Sequence, residues 1–433
     1  MAARVGHYPI GRSPASHSDA ADLFIRGALF VVVMLGVWTS FNPFSRLDQP
    51  LEVTDVGSVT TQAAYSALFV VLAIWCFTHQ PLRLVILVRP ILILALAWCA
   101  LSIVTSWEPS LSARRFAYAL VTIGIAGMVM LVPRNLRHFA DLMAAVALII
   151  IIASYLGVVL APANTIHQAS DMLEPELAGD WRGIFGHKNG ASAAMVVFVF
   201  AGLMVSKVRS RSLGMTIIVL ALPFLWFTHS KTAIAELPLV LLISFVVAHV
   251  RTPLTGITIA IGVVAGLNIL AVGSIYSPSI HALIETLGLD PTFSGRTDVW
   301  KFVIGHIAEN PITGHGFSTF WGTEQVVYGM NENGWARTVS TAHNGYLDLA
   351  LTIGVPGAVL MTLWLVVTPI ADYYRAAGVP ANDPLRLFFL RVCLFASYES
   401  CFESSFLQVG AFLLILIAAG FGLRYMSVTR VVP

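Results

Sequence analysis

Long apolar runs, most of them close to 20 residues, alternate with short polar segments along the chain. A run of this length can cross the hydrocarbon core of a bilayer as a helix. We predict twelve such helices, over residues 23–41, 62–79, 84–105, 116–132, 139–160, 189–206, 212–228, 233–250, 254–274, 345–370, 386–398 and 406–425. The eleventh is short and contains Arg391. The pattern predicts an all-α integral membrane protein with about twelve transmembrane helices.

The composition agrees with this class. Of 433 residues, 57% are hydrophobic and only 11% are charged, with a mean hydropathy of +0.80. Soluble domains carry about 25% charged residues. The net charge of +2 argues against a nucleic-acid partner, which requires a strongly basic surface. The four cysteines lie in or beside apolar stretches without a Cys-x-x-Cys spacing, so we expect neither a metal site nor a disulfide framework.

Orientation follows from the bias of Lys and Arg towards cytoplasmic loops. A cytoplasmic N-terminus places 16 of the 25 basic residues inside and both termini in the cytoplasm. Residues 1–22 are then a cytoplasmic tail that leads into an uncleaved signal anchor. Residues 23–274 hold helices one to nine, with an outward loop at 161–188. Residues 275–344 form a large, partly helical periplasmic cap, and residues 345–433 hold helices ten to twelve and the cytoplasmic C-terminus.

The first outward loop ends in a cationic sequence. Arg182 and the run His187-Lys188-Asn189 lead directly into the sixth predicted helix. A helix N-terminus attracts anions because its N–H groups are unpaired and its dipole end is positive. Arg182 and Lys188 would reinforce this attraction. The alternative is a pair of cations that extend to the outer membrane interface.

The cap contains a predicted amphipathic helix along the membrane surface. Ser294 is a candidate N-cap, and Asn310-Pro311 is a stop signal. One helical face carries Arg296, Trp300, Val303 and Ile307. Arginine suits bidentate recognition of phosphate. An interfacial helix whose arginine is simply solvated is the alternative.

His343-Asn344 stands at the entry to the tenth predicted helix, at the outer rim. A histidine there can accept a proton near neutral pH, although a structural hydrogen-bonding role is the alternative. Three helical turns further on, Gly354-Val355-Pro356-Gly357 predicts a kink or a close packing contact.

Two further outward clusters are weaker candidates. Lys231 lies in His229-Ser230-Lys231-Thr232, with Glu236 one turn later, and Glu399 and Glu403 flank the last outward hinge. The sequence lacks the phosphate loop, the His-Glu-x-x-His zinc motif, an Asp-x-Asp pair and the Gly-x-Ser-x-Gly elbow. Arginines, a lysine and a histidine on the outer face suit a substrate that carries phosphate and arrives already activated.

Together these segments resemble the O-antigen ligase and Wzy-type polysaccharide polymerase family, especially its exopolysaccharide polymerase branch. The resemblance is carried by residues 181–189, 295–300, 310–316, 343–344 and 354–357, and it covers about 180–360. The last two segments have the spacing of the family's His-Asn-x9-Gly-x-x-Gly signature. These segments form three motifs, at 181–189, 295–316 and 343–357, which occur in the expected order and in the expected loops.

The resemblance implies a GT-C-like glycosyltransferase of the bacterial inner membrane. Its donor would be a glycan on undecaprenyl pyrophosphate at the periplasmic face, used with inversion and without metal, nucleotide or other cofactor. The expected catalytic residues are Arg182 and Arg296, which would neutralise the leaving group, and His343, the general base. The expected substrate-binding residues are His187, Lys188, Asn189, Lys231, Trp300 and Asn344.

Three functions remain open at this point. A polymerase adds the growing chain to the next lipid-linked repeat unit, so lipid-linked glycans are both donor and acceptor. A ligase passes the glycan to lipid A core or to protein. A transporter is the third possibility, although charged residues avoid the middle of most predicted helices. Membrane lipids, a chain-length regulator and a flippase of the same pathway are the expected partners.

Overall fold

A computed structural model describes residues 17–45, 47, 59–171, 174–323, 325–326, 339–406 and 411–429. These residues form α-helices whose bounds are α1 His17–Trp38, α2 Val59–His79, α3 Pro81–Leu87, α4 Pro90–Ser102, α5 Pro109–Val129, α6 Leu136–Leu160, α7 Lys188–Val208, α8 Arg211–Phe227, α9 Lys231–His249, α10 Pro253–Gly273, α11 Pro278–Thr286, α12 Arg296–Glu309, α13 Gly345–Thr362, α14 Thr368–Arg375, α15 Asp383–Glu399 and α16 Ala411–Thr429. A π-helical turn, Leu363–Val367, joins α13 to α14. The described residues contain no strand beyond one isolated bridge, Ile166–Trp181, and the all-α membrane class is confirmed.

Every predicted transmembrane segment overlaps a helix of the structure. Eight described helices are long and apolar enough to cross a bilayer, and a ninth span results if α3 and α4 count as one. The exact number of twelve therefore stays a prediction. The predicted segment 84–105 is not one straight helix, because Pro90 starts a new helix and the two parts are bent by 76°. Helix α1 begins at His17, inside the predicted tail, and residues 1–16 lie outside the described part.

Helix α7 forms the centre of the membrane domain. It packs against α6, α8, α9 and α15, and almost all its side chains after the first turn are buried. Gly202 of α7 faces Gly214 of α8, and a Cβ atom on Gly214 would lie 2.4 Å from the carbonyl oxygen of Gly202. Small residues of this kind let helix backbones approach closely in a membrane. The close contact joins the second half of α7 to the start of α8.

The cap helix α12 differs from the prediction at its start. Gly295, with a φ of 83°, is the N-cap, and no side chain caps the helix. Ser294 has a φ of 60°, outside the extended region that a capping serine adopts, so the prediction that it caps α12 is wrong. The predicted stop is confirmed, because α12 ends at Glu309. Trp300 and Val303 are fully buried on the face that also carries Arg296.

The predicted kink at Gly354 is confirmed, and it forms a docking site for the loop 310–316. Gly354 leaves the helical conformation at φ 70° and ψ 170°. The backbone groups that this break frees are paired: His315 N–H donates to the Leu351 carbonyl and Val355 N–H donates to the Pro311 carbonyl. A kink in lipid needs such compensation because unpaired backbone groups are costly there. The cap is thereby attached to the middle of α13.

Replacing Gly354 with alanine should destabilise the protein by about 2–5 kcal/mol, because the backbone conformation is nearly exclusive to glycine and a Cβ atom would overlap its neighbour. That Cβ would lie 2.0 Å from the carbonyl oxygen of Ile312. The measurement is the thermal unfolding midpoint in detergent. Gly262→Ala in α10 is the matched control, since nothing lies within 4 Å of its Cβ position. Equal midpoints for the two variants would contradict the docking role.

Candidate functional site

Glu403, in the turn between α15 and α16, joins residues from three separate elements. Its Oε1 accepts hydrogen bonds from Arg296 Nη2 at 2.7 Å and from Asn189 Nδ2 at 3.0 Å. Its Oε2 lies 3.3 Å from Nδ1 of His343. The sequence placed Glu403 only in a weak cluster, yet it connects residues from all three motif segments. We call Asn189, Arg296, His343 and Glu403 the Glu403 cluster.

Helix N-termini supply the other members of the Glu403 cluster. Arg296 is the first residue of α12, Asn189 is the second residue of α7, and His343 lies two residues before the first residue of α13. Side chains at or near the N-terminal ends of three helices, the positive ends of their dipoles, therefore contact one carboxylate. The arrangement compensates the charge of Glu403 and creates an environment that also favours other anions.

The charge state of Glu403 follows from these partners. Burial alone would raise the pKa of its carboxyl group, but the hydrogen bond with His343 and the charge of Arg296 lower that pKa to about 2. Glu403 is therefore ionised over the physiological range and acts as a permanent hydrogen-bond acceptor.

The peptide before His343 is clamped from both sides. Trp300 Nε1 donates to the carbonyl of Ala342 at 2.9 Å, and the Ala342 N–H donates to the carboxylate of Asp348. His343 itself has a φ of 49°, in the left-handed region that is costly for a residue with a side chain. The surrounding contacts hold this conformation. Its ring is 37% exposed and Nε2 bonds to no described residue, so one nitrogen stays accessible.

Asn344 is buried and links helix α13 to the neighbouring turn. Its Oδ1 accepts from the N–H groups of Tyr346 and Leu347 and so caps α13. Its Nδ2 donates to the Cys401 carbonyl and to Oδ1 of Asn268 in α10. Both ends of the Asn344 amide are therefore engaged with protein groups, and its predicted contact with substrate stays a prediction. Trp300 is also fully buried, and its indole N–H is already bound to the Ala342 carbonyl.

The loop before α7 forms its own network beside the Glu403 cluster. His187 caps α7, because its Nδ1 accepts from the Asn189 N–H at 3.1 Å, while its Nε2 donates to Glu174 at 2.7 Å. Lys188 pairs with Asp180 at 2.5 Å. His187 and Lys188 lie close to the Glu403 cluster because they directly precede Asn189 in the chain. The side chain of Lys188, however, pairs with Asp180, which is not part of the cluster.

Arg182 and Lys231 are not part of the Glu403 cluster. Arg182 is 1% exposed, and its guanidinium donates to the carbonyls of Phe185 and Ser45. These bonds fix the fold of the loop that leads to His187. Lys231 is an exposed first residue of α9 and forms no ion pair with a described residue.

A cavity of about 240 Å³ adjoins the N-terminus of α7. Its walls are mostly apolar and come from α1, α7, α16 and the loops between them, whereas His187 and Ser405 supply polar groups. The cavity is lined by Trp38, Phe185, His187, Ser405 and Phe412, among others. Asn189 directly precedes the lining residue Gly190, and Glu403 lies two residues before the lining residue Ser405. The cavity therefore lies beside the Glu403 cluster. An apolar pocket next to a charged group suits an amphipathic ligand.

Two more carboxyl groups are buried behind the cluster. Glu236 of α9 and Glu399 of α15 are 3% and 4% exposed, and three of their four carboxyl oxygens lack a hydrogen-bond partner within the described residues. Two adjacent buried charges without a cation would be very costly, so the pair holds at least one proton. The sequence noted both residues but gave no sign that they meet.

Asn268 and Asp348 are the positioning residues that sequence reasoning missed. Each is a polar residue inside an otherwise apolar helix. Such residues usually face a protein interior and contact a polar partner. That signal was present in the sequence, but their partners became visible only in three dimensions.

Comparison with known proteins supports the family resemblance that the motifs predicted. Residues 194–362 match the family model described as O-Antigen ligase, a range that includes Arg296 and His343 but begins after Asn189. The chain is also 27% identical over 107 residues to the exopolysaccharide production protein ExoQ of Rhizobium meliloti strain 1021. That alignment covers 23% of this chain and 23% of the relative. The predicted resemblance is confirmed.

Proposed function

Because residues 194–362 match the family model described as O-Antigen ligase, we propose that this chain is a polysaccharide polymerase of the O-antigen ligase and Wzy-type family. It would join undecaprenyl-pyrophosphate-linked repeat units into an exopolysaccharide at the periplasmic face of a bacterial inner membrane. The observation that carries the proposal is the convergence of Arg296 and His343 on the partly buried carboxylate of Glu403. The relative's name, exopolysaccharide production protein, favours the polymerase over the ligase.

His343 acts as the general base in this proposal. Oε2 of Glu403 accepts a hydrogen bond from the protonated Nδ1 of His343, which leaves the lone pair on the accessible Nε2. Nε2 removes the proton of the acceptor hydroxyl while that oxygen bonds to the anomeric carbon of the donor sugar. The bond from the anomeric carbon to the pyrophosphate breaks with its electron pair on the leaving oxygen. Attack opposite the leaving group inverts the anomeric configuration.

Arg296 stabilises the departing pyrophosphate. A guanidinium has five N–H donors, of which two are directed to Glu403 and the Phe402 carbonyl. The remaining donors, together with the N-terminus of α7, would meet the charge that develops in the transition state. Lys188 could join them by exchanging Asp180 for phosphate. Arg182 then serves as a positioning residue that holds the loop before α7.

The donor's lipid chain would start in the cavity beside α7. Its apolar walls fit the first isoprene units, and its polar side faces His187 and Ser405. This position would place the pyrophosphate between the lipid and the Glu403 cluster. No metal enters the proposed chemistry, because cationic side chains and helix dipoles supply the positive charge.

Surface glycans of a null strain test the polymerase against its alternatives. Complementation with the wild type or His281→Ala should restore long polymers, whereas His343→Ala and Arg296→Ala should leave single repeat units. His281 is an exposed residue of the cap helix α11 and serves as the matched control. Intact but unattached polymer in the null strain would instead indicate a ligase. A transporter is the other alternative, because buried carboxyl groups such as Glu236 and Glu399 are typical of transport pathways. Transport of substrate across liposome membranes by the purified protein, without glycosidic bond formation, would support it.

A further inference from the structure

Three potential metal-binding side chains meet at the C-terminal end of α12. His306 and Glu309 belong to that helix, and His315 follows in the loop 310–316. One donor atom from each lies within 4.8 Å of the other two. Nδ1 of His306 and Oε2 of Glu309 are already 3.0 Å apart. None of these residues takes part in the Glu403 cluster.

His315 has the protonation pattern of a ligand. Its Nε2 donates to the carbonyl of His306 at 2.9 Å, so in the neutral ring the lone pair is on Nδ1. Nδ1 is buried without a hydrogen-bond partner among the described residues, and the side chain is 1% exposed. A buried acceptor without a partner costs about 1–3 kcal/mol, so this atom calls for an explanation.

Aromatic rings surround the two imidazoles. Trp107 and Phe320 lie 4.8 and 5.2 Å from the His315 ring, and Phe302 lies 4.4 Å from the His306 ring. An apolar shell excludes water and strengthens electrostatic contacts at a metal site. The carbonyl that holds Nε2 of His315 is the type of outer partner that metal-bound histidines usually have. The surroundings therefore match those of a metal site.

We propose that His306, Glu309 and His315 bind one divalent transition-metal ion of the zinc class. Two imidazole nitrogens and one carboxylate oxygen are typical ligands of Zn²⁺, and water can take the fourth position. Donors about 2.1 Å from a tetrahedral ion lie about 3.4 Å apart, so the group must contract slightly. Glu309 is 57% exposed, which leaves its side chain free to make that movement.

The ion would fasten the cap to the membrane domain. The loop 310–316 is bound through its backbone to the kink of α13. An ion shared by His315, His306 and Glu309 would therefore tie α12 to that kink. Arg296 lies ten residues from His306, about 15 Å along the helix axis. The ion therefore has a structural role and stays outside the transfer chemistry.

Zinc binding to the purified full-length protein in detergent tests the proposal. Equilibrium dialysis at micromolar free Zn²⁺ should leave one ion bound to the wild type and none to His315→Ala. Glu309→Ala should weaken binding by at least about 10-fold, since loss of even an outer partner has an effect of this size. Binding should also raise the thermal unfolding midpoint of the wild type, because the ion binds the folded state.

His281→Ala is the control for adventitious zinc binding at the surface, because His281 and Glu285 form an exposed His–Glu pair within helix α11. It should bind zinc as the wild type does. Glu309 is on the surface, so Glu309→Ala should fold even if His315→Ala does not. Wild-type binding by Glu309→Ala, or no ion retained by the wild type, would overturn the proposal. Both results are independent of glycan transfer and leave the proposed function unaffected.

Discussion

Replacing His343 with alanine is expected to lower the rate of glycan transfer by about 10²–10⁴-fold, the usual contribution of a positioned general base. The reason is the geometry of its ring, which Glu403 holds at Nδ1 while Nε2 remains accessible. The measurement is single-turnover transfer from a lipid-pyrophosphate donor to a lipid-linked acceptor by the purified protein. The turnover rate should fall more than donor affinity, because the base acts mainly in the transition state.

His343→Gln and His281→Ala complete this test. Glutamine keeps a hydrogen-bond donor for Glu403 but cannot accept the proton efficiently, so it should be nearly as impaired as alanine. His281→Ala should retain full activity. Near-normal transfer by His343→Ala would show that another group accepts the proton, and the proposed mechanism would fail.

Replacing Glu403 with glutamine is expected to reduce transfer by about 10²-fold or more, although Glu403 need not touch the substrate. The neutral amide loses the ion pair with Arg296 and no longer fixes the ring of His343 through a charged acceptor. Glu403→Asp keeps the charge and should recover part of the rate. Glu285→Gln, an exposed change of the same chemical type on α11, should have no effect.

The stability of Glu403→Gln should depend on pH in a specific way. The carboxyl pKa of Glu403 is about 2 in the folded protein and near 4.5 ordinarily. Its contribution to the free energy of unfolding is therefore complete above about pH 4.5 and is lost as the pH falls towards 2. The unfolding midpoints of wild type and variant should differ by a constant amount above pH 4.5 and converge below it. A difference that already narrows between pH 7 and 5 would contradict the charge state assigned to Glu403.

Much of the fold was predictable because its signals are local. Apolar runs, proline starts and glycine breaks act over one or a few turns, so the positions of the helices and the kink at Gly354 followed from sequence. The errors were local as well. Ser294 has a suitable side chain for a cap, but the left-handed backbone at 294 and 295 moves that role to Gly295.

The site was only partly predictable, because its contacts cross long stretches of chain. Arg296 and His343 were identified from their motifs, but their shared partner Glu403 lies 107 and 60 residues away. Asn189 reaches the same carboxylate across 214 residues. Conversely, the motif around Arg182 suggested a site residue, whereas folding directs its guanidinium to backbone carbonyls.

The sequence by itself determined the membrane class, the helical segments and the motif loops, since hydrophobic length and turn chemistry act on neighbouring residues. Only the tertiary structure decided which polar groups meet. Burying a charge costs free energy until a partner compensates it, and the partner is set by how α7, α12, α13 and the α15–α16 turn pack together. That packing made Glu403 the centre of the site and left Nδ1 of His315 as a buried acceptor without a partner among the described residues.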